Sequence, residues 1–427
     1  MTLFATRYVW LVGILVLAAA CSAPPTADPD PDPDPDPDVT AAMVLVRNHA
    51  VRPSIDRDGQ RVALIAFQDA SFGALAGIIV HDLVAGTTVR ADETSAGTAS
   101  DGTFVSGTPA ISGDGNRVAF VTDATNLAAA TDTNRTIFVT DLVSGTIDTV
   151  RLADVDATSG CVDRPSLDET GATILFNHNQ ACYTSSFAIS EMYLKPVVGG
   201  VAERMSGVAR SGAGLLSADA AVVAFLSEDL GASEGDTNGS LDVYVRAVSS
   251  TGIQRASLAH DGAEADASVF LGDVSDDGRY VLMMSWATNL VPNDTNDFAD
   301  VFLYDRTGGS IERVSLAPDG GELNGASFNA RISGDGRYVV FETRALNVAP
   351  GLTQSDNRLF VREVATGAVA RLDLPAGGDP ELGIRQGEFD VSGDGRFVVF
   401  VSGNALLPGA EEETLAVYRV ENPLWTP

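Results

Sequence analysis

Lysine is almost absent from this 427-residue chain: Lys195 is the only one, and arginine supplies the rest of the 27 basic residues. Against them stand 58 aspartates and glutamates, for a formal net charge of −31. A phosphate backbone requires clustered cations, so this balance excludes nucleic acid as a partner and predicts a preference for basic surfaces, weakened by salt. Aromatic residues are few, at 7%, while glycine is plentiful at 42. That combination suits short strands separated by many tight turns. Outside the first 21 residues no stretch sustains a 3.6-residue apolar period, which excludes a helical architecture. With 45% hydrophobic residues the chain has ample material for a core, so global disorder is excluded too. No Gly-x-Ser-x-Gly elbow, zinc-binding helix motif or phosphate-binding loop occurs.

Residues 1–21 read as a secretory signal. Arg7 precedes the ten-residue apolar run Leu11 to Ala20, and Ala18-Ala19-Ala20 leads into Cys21. The run is short for a membrane span, which takes about 20 apolar residues. The small residues followed by cysteine resemble a bacterial lipobox, although Leu17 stands four before Cys21 rather than three. The resemblance implies lipidation of Cys21 and, with Ser22 next, an outer-membrane or cell-surface address. An ordinary signal peptide of a secreted or periplasmic protein is the alternative. Residues 22–42 form a tether: Asp28 to Asp38 alternates strictly aspartate and proline. Proline favours an extended polyproline conformation and the aspartates repel, so 21 residues reach up to about 60 Å.

From residue 43 to 427 the chain is one repeat. The clearest unit is Ile332-Ser-Gly-Asp-Gly-Arg-Tyr-Val-Val-Phe341, with near copies from Ile111, Val274 and Val391. Weaker copies carry Asp58-Gly59 and Thr170-Gly171, and a degenerate one carries Asp219-Ala220. The residues before glycine or its replacement are Asp58, Asp114, Thr170, Asp219, Asp277, Asp335 and Asp394, spaced by 56, 56, 49, 58, 58 and 59. Each unit divides into four strands; in the sixth, Asn329–Ile332, Tyr338–Glu342, Arg358–Val364 and Val369–Leu374 are joined by turns including Asp335-Gly336 and Thr366-Gly367. Glycine accepts the positive φ such hairpins require. Four antiparallel strands at this period describe the blade of a β-propeller.

The last unit ends with its third strand, near Leu415 to Val420, whereas Met43 to Asn48 reads as a fourth strand without partners. Pairing the two satisfies both edges and predicts an all-β, seven-bladed propeller closed by the N-terminal strand joining the last blade. The Ser-Gly-Asp-Gly-Arg turns, the Ala-Thr-Asn-Leu runs at 124–127 and 287–290, and Asp-Thr-Asn loops leading into strands such as Asp300-Val301-Phe302 resemble the TolB-type β-propeller repeat of bacterial extracytoplasmic proteins. The resemblance implies the propeller fold and leaves activity open, since related propellers serve as binding platforms, enzyme accessories and catalysts.

Three groups of residues are candidates for chemistry. With Cys21 lipidated, Cys161 and Cys182 remain to pair as a disulfide at one end of the third blade, and two buried thiols are the alternative. Asp236, Asn238, Ser240 and Asp242 place oxygens at every second position, as do Asp294, Asn296 and Asp300, with Asp132 and Asn134 a shorter version. That spacing suits calcium, a hard cation that takes several oxygens. The glycine and glutamate of an EF-hand are missing, and capping of the turns by their own Asx side chains is the alternative. His49, His81, His178 and His260 share no spacing; His81 lies within a strand, and a joint site for the other three would need them to converge. Asp114, Asp335 and Asp394 recur at one repeat position, which points to folding each blade rather than to catalysis. The expectation is a lipid-anchored, non-catalytic binding platform for a protein or a cell-envelope glycan. The alternatives are a carbohydrate-active lyase or hydrolase with its site in the channel, and a purely structural surface protein.

Overall fold

The computed structural model describes residues 43–68, 75–103, 105–129, 135–180, 182, 190–206, 211–228, 236–354, 356–374, 384, 387–411 and 414–427. The signal, the tether with Cys21, and Asp132 and Asn134 lie outside the described residues. Within them the chain forms seven four-stranded antiparallel sheets and one short 3-10 turn, Leu152–Val155. Blade six is representative: Ser327–Ile332, Tyr338–Thr343, Arg358–Glu363 and Val369–Arg371, counted from the channel outward. The degenerate fourth unit is also a complete blade, and Ala220 takes φ 55° where other blades place glycine. Blade seven has Phe389–Val391, Phe397–Ser402 and Ala416–Glu421 from the end of the chain, with Met43–Asn48 at its outer edge. Met43 stands opposite Val420 and Asn48 opposite Ala416, so the ring closes as the sequence predicts.

The second strands are apolar on both faces because each blade is covered on both sides by a neighbour. Alternation along the strand then sorts side chains between two interfaces. In Arg117–Thr122, Val118 and Phe120 pack with Val51, Ala63 and Ile65 of blade one, while Ala119 and Val121 pack with Val162, Leu167 and Ile174 of blade three. Across the closure, Val398 and Phe400 meet Tyr338 and Val340, and Val399 and Val401 meet Val62 and Leu64. The core is therefore distributed as a ring of sheet-to-sheet seams. The single lysine is part of this interior: Lys195 is 4% exposed and donates to Asp154 at 2.8 Å.

The repeated turn has a fixed internal bracket. In blade six Ser333 Oγ donates to Asp335 Oδ1 at 2.6 Å, Arg337 N donates to the same oxygen at 3.0 Å, and Tyr338 N donates to Ser333 Oγ at 3.0 Å. Ser112 with Asp114, Ser217 with Asp219, Ser275 with Asp277 and Ser392 with Asp394 repeat it. The recurring aspartates are thus turn residues, as their recurrence implies.

The same turns link the blades. Arg57 N donates to Gly113 O, Asp114 N to Glu169 O, Glu169 N to Ala218 O and Asp219 N to Asp276 O. Asp276 N donates to Gly334 O, Asp335 N to Gly393 O, and Asp394 N to Arg57 O, at distances from 2.7 to 3.4 Å around the whole circle. Every interface carries one such bond, and the last returns to the first blade. Close approach explains glycine here: a Cβ on Gly393 would stand 2.5 Å from Arg57 Cγ, and one on Gly334 would collide with the Asp276 carboxylate.

Truncating a seam residue removes contacts from two blades at once. Phe120→Ala is expected to cost about 3–5 kcal/mol, read as a lower midpoint in denaturant unfolding with an unchanged slope.

Candidate functional site

The innermost strands surround the channel, and they are irregular by construction. Their pairing with the second strand shifts register between Val51 and Ser54, Ser106 and Ala110, Asp163 and Ser166, Ser211 and Gly214, Leu271 and Asp273, and Phe328 and Arg331. A bulge re-aims side chains that a regular strand would send into the sheet seams. At these bulges Arg52, Arg164 and Asn329 adopt φ of 54°, 52° and 46°, and Gly107 is also left-handed.

The channel proper is a cavity of about 290 Å³ with charged groups from several blades. In blades one, three, five and seven the penultimate residue of the inner strand accepts a hydrogen bond from the next blade. Asp273 accepts from Ile332 N at 3.1 Å and Asp390 accepts from Ile55 N at 3.0 Å. Ser166 plays the same part for Leu216 N at 3.2 Å. Asp273 opens only onto the channel, and burial lifts its carboxyl to about 6; Arg331 opposes the rise and the Asp390 charge adds to it. Asp390 is raised by burial as well, again opposed by Arg331.

At the turn face Arg57 crosses from blade one to Glu169 of blade three at 3.2 Å and to Asp276 of blade five at 3.3 Å. Burial pushes Asp276 up to about 6, with Arg57 as the main opposing charge. All three residues line the channel cavity at that end. The loop-face mouth is different: a second cavity, of about 360 Å³, lies among Arg52, Arg135, Asp163, Arg164, Asn177 and Cys182. Burial raises the Asp163 carboxyl, and Arg164, Arg135 and His178 pull against it.

The residues proposed for calcium are gathered around guanidinium groups. Arg313 Nη1 lies 3.0 Å from Asp294, 3.0 Å from Asp300 and 2.9 Å from Glu322. Arg255 likewise faces Asp242 at 3.6 Å and Glu264 at 2.8 Å, with Asp236 at 3.9 Å. Asn238 Oδ1 accepts from Ser240 N at 2.8 Å, and Asn296 Oδ1 accepts from Phe298 N at 2.8 Å, which is Asx capping. Asn238 and Asn296 also donate to Asp242 and Asp300. The cation these oxygens converge on is an arginine, and no cluster of three His, Cys, Asp or Glu suited to a metal occurs among the described residues.

Cys161 begins the inner strand of blade three, opposite Asn179, and its buried thiol hydrogen-bonds with Cys182 without a covalent link. Burial first, and that contact second, push the Cys161 thiol up. The histidines do not converge: His49 faces Glu411 at 3.3 Å, His178 contacts Ser159 O at 3.1 Å, and His260 lies near Asn289 O at 3.4 Å. His81 is buried in its strand with Thr88 Oγ1 at 2.9 Å, and burial lowers it to about 4. The arginines of the mouth are absent from the sequence-based candidates. A signal for two of them exists: Arg52-Pro53-Ser54 and Arg164-Pro165-Ser166 repeat at the same place in blades one and three.

No family model and no curated protein matches this sequence. Solved structures do. Two structures of oligogalacturonate lyase, one with manganese and one from Vibrio parahaemolyticus, superpose with a TM-score of 0.58 at 12% and 11% identity. They cover 91% and 90% of this chain, and 95% and 94% of theirs. The β-propeller domain of the Trilobed protease from Pyrococcus furiosus matches at 0.54, with 13% identity over 88% of this chain and 97% of that one. TolB from Acinetobacter baumannii matches at 0.40, with 15% identity over 84% of this chain and 79% of that one. At these identities the likeness is one of fold.

Asp273 has a measurable signature. A carboxyl raised in the folded state binds more protons folded than unfolded between about pH 4 and 6, so its ionisation lowers stability as pH rises through that window. Asp273→Asn keeps an acceptor for Ile332 N and removes this term. The gain in melting temperature on going from pH 7.5 to about 5 is expected to be smaller in the variant than in the parent. An identical pH profile would show that Asp273 titrates normally.

Proposed function

We propose that this protein is an exported, lipid-anchored propeller that acts as a non-catalytic binding platform and receives its ligand at the loop-face mouth of the channel. The observation that carries this reading is the asymmetry of the two ends. The Arg57–Glu169–Asp276 bridge spans three blades at the turn face, whereas a cavity of about 360 Å³ lies open to polar contact at the loop face. Concave sites of this size are where small ligands and the projecting groups of larger ones bind. A photo-crosslinking residue at position 106 should capture an envelope component, and one at position 169 should not. Equal capture from both positions, or capture from 169 alone, would remove the basis for the reading.

The second reading, a carbohydrate-active lyase or hydrolase, draws on Asp273. A channel carboxyl lifted to about 6 is closer to the pKa a general acid needs at neutral pH than an ordinary aspartate is. Release of new sugar ends from a polysaccharide, lost in Asp273→Asn, would favour it over binding alone.

Anchoring and export rest on the Arg7 to Cys21 segment and the Asp-Pro tether. In an oxidising compartment Cys161 and Cys182 are proposed to bridge, closing a loop of about 22 residues worth roughly 3 kcal/mol. One labelling experiment reads both features. In protein taken from the cell envelope, alkylation without reductant should label none of the three cysteines, because Cys21 is a thioether and the others are paired. Reduction should then expose two thiols. Labelling of all three before reduction would contradict both assignments.

A further inference from the structure

The loop-face mouth carries positive charge that an acidic chain has every means to neutralise. With 58 acidic residues against 27 basic ones, carboxylate partners are abundant, and arginines elsewhere use them. Arg61 pairs with Asp82, Arg117 with Asp141, Arg246 with Glu203 and Arg279 with Asp305. Arg52 and Arg164 are different. Among the described residues neither guanidinium enters a hydrogen bond or a close ion pair, although the Arg164 charge acts on neighbouring Asp163, and the Arg52 backbone N–H donates to Glu388 at 3.1 Å. Both sit at equivalent bulges with left-handed φ. Strain of that kind persists where the surroundings impose it, and it concentrates at binding sites. Arg135 lines the same cavity, so among the described lining residues three arginines stand against one carboxylate, Asp163, inside a protein of net charge −31.

The rest of the lining is polar and neutral. Ser106, Asn177, Asn179 and Ser190 face the cavity, and among the described residues no aliphatic or aromatic side chain lines it. Peptide anchors and most small molecules sit in apolar pockets, so this lining suits a ligand that is itself polar over its surface. Asn177 adds a specific demand. It is 2% exposed, and its Nδ2 donates to Ser190 Oγ at 2.9 Å and to Gly212 O at 2.7 Å. Its Oδ1 has no donor, although a buried acceptor is normally satisfied.

We propose that the mouth binds an acidic sugar, with the ligand carboxylate on Arg52 and Arg164 and a ligand hydroxyl donating to Asn177 Oδ1. This assignment rests on the loop-face mouth being the ligand-binding end. Guanidinium–carboxylate contacts supply strength and orientation, and hydroxyl groups match the serine and asparagine lining.

Calorimetric titration of the full chain tests it with four probes: a uronic-acid trisaccharide, its carboxyl-reduced neutral counterpart, inorganic phosphate and an aspartate hexapeptide. The acidic trisaccharide should bind, more weakly as salt rises, and the other three should not. Arg52→Gln and Arg164→Gln should each weaken binding about tenfold, equivalent to about 1.4 kcal/mol, with melting temperatures unchanged. No binding of the acidic trisaccharide, equal binding of its neutral counterpart, or binding of phosphate or peptide in its place would overturn the acidic-sugar assignment. Two further variants separate this failure from failure of the mouth itself. Sugar binding that survives Ser106→Trp and both arginine substitutions, and is lost in Arg57→Gln, would overturn the mouth as the ligand-binding end. Sugar binding that is blocked by Ser106→Trp but indifferent to the arginines would overturn the carboxylate contact alone.

Discussion

Seven backbone hydrogen bonds, one per blade interface, set the geometry on which the channel depends. Each runs from the turn of one blade to the turn of the next, and the seventh returns to Arg57. Backbone groups are indifferent to side-chain identity, so this ring tolerates glutamate, alanine, glycine or arginine at the contact position. What it does not tolerate is distance. The turns must approach closely enough that Gly334 and Gly393 leave no room for a Cβ. Once the turns are fixed, the inner strands are crowded together, and their bulges become the means by which selected side chains reach the channel.

The molecule therefore combines a periodic frame with an aperiodic interior. The frame repeats the serine–aspartate bracket and the two-sided apolar strands from blade to blade. The channel positions vary from blade to blade: the penultimate inner-strand residues are Ser54, Ala110, Ser166, Leu215, Asp273, Arg331 and Asp390. Substitution at one repeat position without consequence for the frame is what allows a propeller to be specialised. Here the specialisation is electrostatic, with acids in mid-channel and arginines at the loop face.

These two layers differ in how far the sequence reveals them. The frame was legible because tight turns and buried strands impose local residue requirements at a fixed period, and the pairing of Met43–Asn48 with the last blade followed from counting strands. The loops around Asp236 and Asp294 were legible as turns, but the guanidinium groups they surround were not. The oxygens lie together in sequence, whereas the cations they meet, Arg255 and Arg313, come from the fourth, outermost strand of each blade. The mouth was not legible because a bulge decides which way a side chain points. Nothing local to Arg52 or Arg164 distinguishes a channel arginine from a sheet arginine, except the shared Arg-Pro-Ser run.

The position of Lys195 has a chemical consequence beyond packing. Its ammonium is the only one a lysine contributes, and it is enclosed against Asp154. The exposed cations are guanidinium groups, which stay charged across the whole range in which proteins fold and resist acylation. Reagents that acylate or condense with lysine amines therefore find no lysine target on the folded propeller. Amine-directed acylating reagents would leave its surface charge pattern intact.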